Sequence, residues 1–219
     1  MSYKSQIGQD KYVLDNIFAN KKNGFFIELG AADGIINSNT YYMEKELDWD
    51  GICIEANPKY HEGLKKNRNC HKDFCPIYSV PGKKIEFSMV NCGELSGITN
   101  HIGNIGNFKV TDKIQLETKT LTQILDKFKA PKYIDFLSLD VEGAELEVLK
   151  GIDFQKYTIG YMCIEHNYNN TLRDQIRKYL RENSYIYARW NRFDDEFIHM
   201  SLARNYAWSN LKQDTTPKI

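Results

Sequence analysis

Cysteine is sparse and unpatterned in this chain of 219 residues: the five that occur, Cys53, Cys70, Cys75, Cys92 and Cys163, include no C-x-x-C pair. That spacing leaves zinc and disulfide readings weak, and Cys53 and Cys163 sit inside apolar runs where a thiol acts as a small hydrophobe. A surplus of one charge is also missing. Lysine plus arginine total 29 and aspartate plus glutamate total 29, so no global field draws the chain to nucleic acid or to an anionic membrane. No apolar run approaches transmembrane length, and the stretch from Met1 to Ile7 is polar where a secretory leader would be apolar. Together with the odd number of cysteines, these absences make the cytoplasm the expected compartment. No internal repeat is visible, and the length suits one α/β domain with its own core over 1–219. Within it we expect a helical N-terminal segment over 1–22, a long loop over 91–107 and a flexible tail over 213–219.

What is present is a pair of apolar strands that each end in an acid. Gly24 to Leu29 reads Gly-Phe-Phe-Ile-Glu-Leu and runs into Gly30-Ala31-Ala32-Asp33-Gly34. Gly51 to Ile54 runs into Glu55-Ala56-Asn57. In a parallel sheet buried on both faces, such strands deliver Glu28, Glu55 and the glycine-containing loop to the crevice at their carboxyl ends. Gly30 and Gly34 let the backbone turn tightly there, and Glu55 can accept hydrogen bonds from both hydroxyls of a ribose.

The loop separates two nucleoside-binding chemistries. A dinucleotide fingerprint has a second glycine that lets the backbone approach a pyrophosphate, whereas here Ala32 takes that place and Asp33 precedes Gly34. An acid repels a pyrophosphate but suits a sulfonium and an ammonium group, so the loop points to S-adenosylmethionine over NAD. The alternatives kept open are an NAD(P)-dependent Rossmann oxidoreductase and a catalytically inactive donor- or sugar-binding module.

Along the chain, apolar spacing predicts a helix over 5–19, a crossover helix over 39–48 and a further helix over 58–67. Asn37, Ser38 and Asn39 can either cap the crossover helix or bind the donor. Strands are expected over 73–78, with Pro76 marking an edge or end, and over 84–90, 133–139 and 159–164. The Gly- and Asn-rich stretch 91–107 reads as a loop outside the core that could hold an acceptor. A helix over 171–181 precedes two segments, 185–189 and 197–203, that suit an antiparallel hairpin. Trp190, Arg192, Phe193, Asp194 and Asp195 either form its turn or stack on a sugar ring.

Four motifs carry a resemblance to the FkbM family of S-adenosylmethionine-dependent methyltransferases. They are Ser5-Gln-Ile-Gly-Gln-Asp10; Phe26 to Gly34 with Ser38-Asn39-Thr40; Trp49 to Pro58; and Leu137-Ser-Leu-Asp-Val-Glu-Gly-Ala-Glu145. The resemblance implies a three-layer, Rossmann-like class I methyltransferase fold, α/β, with a seven-stranded, mostly parallel sheet that ends in the antiparallel hairpin. It also implies donor binding by Glu28, Gly30, Ala31, Asp33, Gly34, Asn37, Ser38, Glu55, Ala56 and Asp140, and O-methylation of a sugar or natural-product hydroxyl. The expected acceptor is a sugar, a nucleotide sugar or a glycan, and a homodimer is left open.

Removal of the acceptor's proton needs a base, and the candidates at two adjacent strand ends are Asp140, Glu142, Glu165 and His166. Asp140 with Glu165 and His166 also resembles the layout of Mg²⁺-dependent sugar and catechol O-methyltransferases. His is a poor Mg²⁺ ligand, which either weakens the metal reading or moves the role to Asn167. For Asp140 and Glu142 a plain role in helix N-terminal capping stands beside the chemical one.

Overall fold

The computed structural model describes residues 2–203; the expected tail over 213–219 lies outside the described residues. Period-two burial organises the main sheet. In β1 (Phe25–Leu29), Ile27 and Leu29 face one layer of helices while Phe26 and Glu28 face the other. The same alternation recurs in β2 (Asp50–Ile54), where Ile52, Cys53 and Ile54 are buried because both faces of the sheet are covered.

The helices preceding and following these strands are α1 (Gln9–Asn16), α2 (Tyr41–Glu46) and α3 (His61–Asn67), and β3 (His71–Asp73) follows α3. A second, three-stranded antiparallel sheet comes next, from β4 (Lys84–Val90), β5 (Gly97–Ile98) and β6 (Val110–Glu117). The main sheet then resumes with α4 (Leu121–Lys127), β7 (Tyr133–Leu139), α5 (Glu145–Lys150), β8 (Thr158–Glu165) and α6 (Asn170–Glu182). It ends with β9 (Tyr185–Asn191), β10 (Asp194–His199) and the short α7 (Met200–Ala203). Its order is β3-β2-β1-β7-β8-β10-β9, parallel except at β10, which runs antiparallel to both neighbours. Leu121, Ile124, Val148, Leu149, Ile176 and Leu180 of α4, α5 and α6 pack on one face, and Val13, Leu14, Met43 and Leu64 of α1, α2 and α3 on the other. This is the three-layer α/β arrangement expected from the sequence. No helix among the described residues is long and apolar enough to cross a membrane.

Local chemistry shortens several expected elements. Gly8 at φ +82° starts α1 only at Gln9, and Ala19 and Asn20 at positive φ close the segment after it. The crossover helix is trimmed to α2, and residues Pro58–Tyr60 form a 3₁₀ turn ahead of α3. Strand β3 ends at Asp73, before Pro76 with its missing N–H, and Ile77 makes only an isolated bridge to Lys119. The stretch 91–107 is a correction: its first part is a 3₁₀ turn and strand β5, paired with β4. Beyond His199 the expected second hairpin strand becomes α7. Strand β6 and helix α4 have no counterpart in the sequence reading.

The buried Glu28 is held by an unusual partner for a residue drawn from a lysine-rich stretch. Arg68, 1% exposed at the end of α3, places Nη1 3.1 Å from Glu28 Oε2 and Nε 2.6 Å from Glu44 Oε2. It also donates to Ser38 Oγ at 3.1 Å and Thr40 Oγ1 at 2.8 Å. Glu28 in turn accepts from the hydroxyls of Ser38 and Thr40 and from the backbone N–H of Asn39 at 2.6 Å. The network ties β1, the loop after it, α2 and α3 into one unit. Removing one member leaves buried charge uncompensated, which costs about 3–5 kcal/mol. Accordingly, Arg68→Met is expected to lower the urea midpoint sharply without changing the m-value, and Glu28→Gln added to it to recover part of the loss. Equal stability of wild type and Arg68→Met in that titration would remove the network from its structural role.

Candidate active site

A cavity of about 240 Å³ opens at the carboxyl ends of β1, β2, β7 and β8, where loops from parallel strands converge. The second sheet closes it from above: Phe87 of β4, Leu95 and Ser96 of the turn and Ile98 of β5 all line it. So does Tyr60. A recess of about 30 Å³ adjoins it, lined by Gln9, Cys163 and Asp194 among others.

Glycine makes the floor possible. Gly30 sits at φ +75°, and a Cβ there would lie 1.9 Å from the carbonyl oxygen of Asp140, so only a glycine lets the loop after β1 touch the loop after β7. Around it, Ala32, Asn37, Glu142 and Asn167 all line the cavity in left-handed backbone conformations, at φ 45°, 54°, 57° and 47°. Asn tolerates that region, whereas Ala and Glu cost about 1–3 kcal/mol each and persist only where their surroundings over-determine them. Glu55 does so for Ala32, accepting its N–H at 2.8 Å on one oxygen while the other accepts Asn57 N–H at 2.7 Å. Each oxygen of Glu55 keeps a lone pair, and the side chain faces the cavity. Glu145 does the same for Glu142, its Oε1 accepting the N–H groups of Val141 and Gly143 at 3.0 Å each.

The acids here are electrostatically unusual. Burial pushes the pKa of Glu55 up to about 7, opposed by the N–H groups of Asn57 and Ala32. Burial likewise raises Glu145 to about 7 and, aided by Asp140 and Glu145, Glu142 to about 8. Asp140 is the open member of the group, exposed toward the cavity, and the protein crowded around its carboxyl raises its pKa as well. Burial, and then the neighbouring charge of Asp140, push Glu165 well above the usual carboxylate range. Asn167 spans the group, its amide donating to Glu165 Oε2 at 2.8 Å and reaching Glu142 Oε2 at 3.3 Å. No lysine, arginine or histidine lines the cavity among the described residues.

Of the site residues expected from the sequence, Glu28, Gly30, Asn37, Glu55, Ala56, Asp140, Glu142 and Glu165 line this cavity. Ala31, Asp33, Gly34 and Ser38 do not. Asp33 accepts the N–H groups of Ile35 and Ile36 at 2.9 and 2.8 Å, Gly34 packs on Arg68, and Ser38 serves Glu28. Glu28 reaches the wall, but its oxygens are already taken by Arg68, Ser38, Asn39 and Thr40. His166 is also a correction. It follows Glu165 at the end of a strand, where successive side chains diverge, and its Nε2 lies 3.7 Å from Asp195 on the far side. Asp195 there is clamped by Arg173 and Arg177, and burial lowers the imidazole pKa. The expected trio Asp140, Glu165 and His166 therefore does not converge, and the third carboxylate beside Asp140 and Glu165 is that of Glu145.

The sequence reading did not find Tyr60, Phe87, Leu95 and Ile98, which come from segments with no motif. Asn39 was in view as a cap, and the structure shows it donating to Ser138 Oγ at 2.7 Å while its Oδ1 faces no donor. The turn at 191–194 bridges β9 and β10, and from it Phe193 reaches the cavity.

Residues 28–187 match the family described as Methyltransferase FkbM domain. Among solved structures the chain is similar to precorrin-6y C5,15-methyltransferase from Geobacter metallireducens GS-15, at 11% identity and TM-score 0.47, covering 90% of this chain and 91% of that one. It is also similar to the METTL16 MTase domain, at 14% identity and TM-score 0.47, covering 86% of this chain and 64% of that one. No curated protein matches.

The raised acids fix the sign of a stability profile. Glu55, Glu145 and Glu142 ordinarily titrate near 4.5 and Asp194 near 3.8, but here they reach about 7, 7, 8 and 7. The folded chain thus binds more protons than the unfolded one as pH falls through 8 to 6.5, and stability rises over that interval. Below about 6.5 the lowered imidazoles of His61, His166 and His199 oppose the gain, because the unfolded chain then binds the extra protons. Calorimetry of the ligand-free protein in chelator is expected to give a Tm that climbs from pH 8.5 to 6.5. A Tm that falls over that range would contradict the burial of these carboxylates.

Proposed function

The chain belongs to the FkbM family of methyltransferases, and from that premise we propose that it transfers the methyl group of S-adenosylmethionine to a hydroxyl of a sugar or glycan. The observation that carries the reading is a cavity rich in carboxylates and free of cationic side chains among the described residues, at the strand ends where donor and acceptor would meet. S-adenosylmethionine carries a sulfonium and an ammonium and no phosphate, so it suits these walls. A dinucleotide's pyrophosphate would face carboxylates with no cation to pair with, which argues against the oxidoreductase, and a nucleotide-sugar acceptor meets the same objection inside the cavity.

The residues divide the work by position. The free lone pairs of Glu55 suit ribose hydroxyls, Gly30 and Ala32 let the backbone lie against the donor, and Asp140 borders its charged end. When bound, S-adenosylmethionine supplies an electrophilic methyl on sulfur. Phe193 offers an apolar face for a sugar ring at the cavity wall. Glu142, held by its left-handed backbone and the Asn167 amide, is the base that takes the acceptor's hydroxyl proton. The raised pKa of Glu142 brings its proton affinity close to that needed near neutral pH.

Thermal unfolding with S-adenosylhomocysteine tests the donor: at about 100 times its Kd the ligand stabilises by about 2.7 kcal/mol. Glu55→Ala is expected to abolish the shift, and a shift with NAD but none with S-adenosylhomocysteine would overturn the reading. Incubation with S-adenosylmethionine and neutral glycosides, read by mass spectrometry, tests the transfer. Glu142→Gln is expected to lower kcat by about 10²–10⁴ with the S-adenosylhomocysteine shift intact, and to remove the acidic limb of the pH–rate profile. Donor binding without methyl transfer to any hydroxyl would favour the inactive binding module.

A further inference from the structure

We propose that Asp140, Glu145 and Glu165 form a binding site for a hard divalent cation of the Mg²⁺ and Mn²⁺ class. One carboxylate oxygen from each of the three lies within 4.8 Å of the others, a spread that a single ion can bridge. The donor set is all oxygen, with no thiol or imidazole, which favours hard ions over zinc or copper.

Glu145 supplies the independent observation. The residue is 1% exposed, and its Oε1 is pinned by the N–H groups of Val141 and Gly143. With one oxygen so fixed, the other, Oε2, is left buried and without any hydrogen-bond partner, in a carboxylate that lies against those of Asp140 and Glu165. Native proteins rarely leave a buried carboxylate oxygen unpartnered, and an ion at this point gives it a partner. Glu165 is oriented by the Asn167 amide at 2.8 Å, so two of the three ligands are fixed before any ion arrives. Asp140 opens to the cavity and provides both the entry path and the side on which free coordination positions would lie. No cationic side chain lines the cavity among the described residues to neutralise the cluster in the ion's place. Such an ion would also touch an acceptor oxygen, a consequence that rests on the methyl-transfer reading, whereas the site itself does not.

The test is a titration of the full chain with Mn²⁺ followed by electron paramagnetic resonance, with Mg²⁺ as competitor and S-adenosylhomocysteine binding measured in EDTA on the same preparation. A single saturable Mn²⁺ site displaced by Mg²⁺ is expected. Glu145→Gln keeps an acceptor for Val141 and Gly143 but loses the charge, and is expected to weaken Mn²⁺ roughly tenfold or more. Glu165→Gln, measured in case the first variant does not fold, is expected to do the same. His166→Asn is expected to leave the affinity unchanged, since that residue lies outside the cluster. Absence of saturable Mn²⁺ binding by protein that still binds S-adenosylhomocysteine overturns the cation site and leaves the donor reading standing. Weakening by His166→Asn with none by Glu145→Gln or Glu165→Gln overturns the ligand set. Mn²⁺ binding without S-adenosylhomocysteine binding keeps the site and removes the donor reading.

Discussion

A buried guanidinium holds the working end of this molecule together. Arg68 reaches from the end of α3 under the loop that follows β1 and binds two carboxylates, Glu28 and Glu44, with two hydroxyls. Charge inside a protein is tolerated only when paired and hydrogen-bonded, and here every member of the group satisfies another. The consequence is positional. The loop from Gly30 to Thr40 cannot move independently of α2 and α3, so the backbone of Gly30, Ala32 and Asn37 is presented to the cavity as a rigid surface. The same pairing removes Glu28 from direct donor chemistry, because its oxygens are already occupied.

Above that base the cavity concentrates carboxylates to a degree that neutral solvent would not favour. Glu55, Asp140, Glu142 and Glu165 at its wall, and Glu145 beside Asp140 and Glu165, are all raised in pKa, and several stand on or beside strained backbone. Strain and unfavourable charge at one location are characteristic of a site preorganised for a ligand, since both cost stability that the rest of the fold must offset. The fold supplies it through two apolar layers flanking a seven-stranded sheet. A cationic ligand, whether donor or metal ion, would relieve the repulsion, which gives the cavity its selectivity for charge before any shape is considered.

The sequence revealed the strands best where their chemistry is continuous. Phe25 to Leu29, Tyr133 to Leu139 and Ile159 to Ile164 are apolar runs long enough for strands buried on both faces, and all three stand as expected, the third extended by one residue at each end. The ends of helices and short strands were poorly legible, because Gly8, Pro76 and the positive-φ residues act through backbone conformation that composition does not display. The three-stranded sheet was missed for a different reason: the first half of β6 is exposed throughout and only Ile114 and Leu116 in its second half are half-buried, and β5 is only two residues long. Its cover over the cavity exists because of pairing with β4, a contact between distant segments.

For the site, the sequence by itself determined that acids end strands β1, β2, β7 and β8 and that glycine lies where loops must touch. Strand periodicity and the conformational range of glycine are local properties, written in neighbouring residues. The tertiary structure alone decided which acids meet. His166 and Glu165 are adjacent in the chain yet diverge, whereas Glu145 joins Asp140 and Glu165. Arg68, in a lysine-rich stretch that reads as a solvated surface, becomes the most buried charge of the network. Side-chain direction, burial and the pairing of charges depend on how distant segments pack, and no spacing along the chain encodes them.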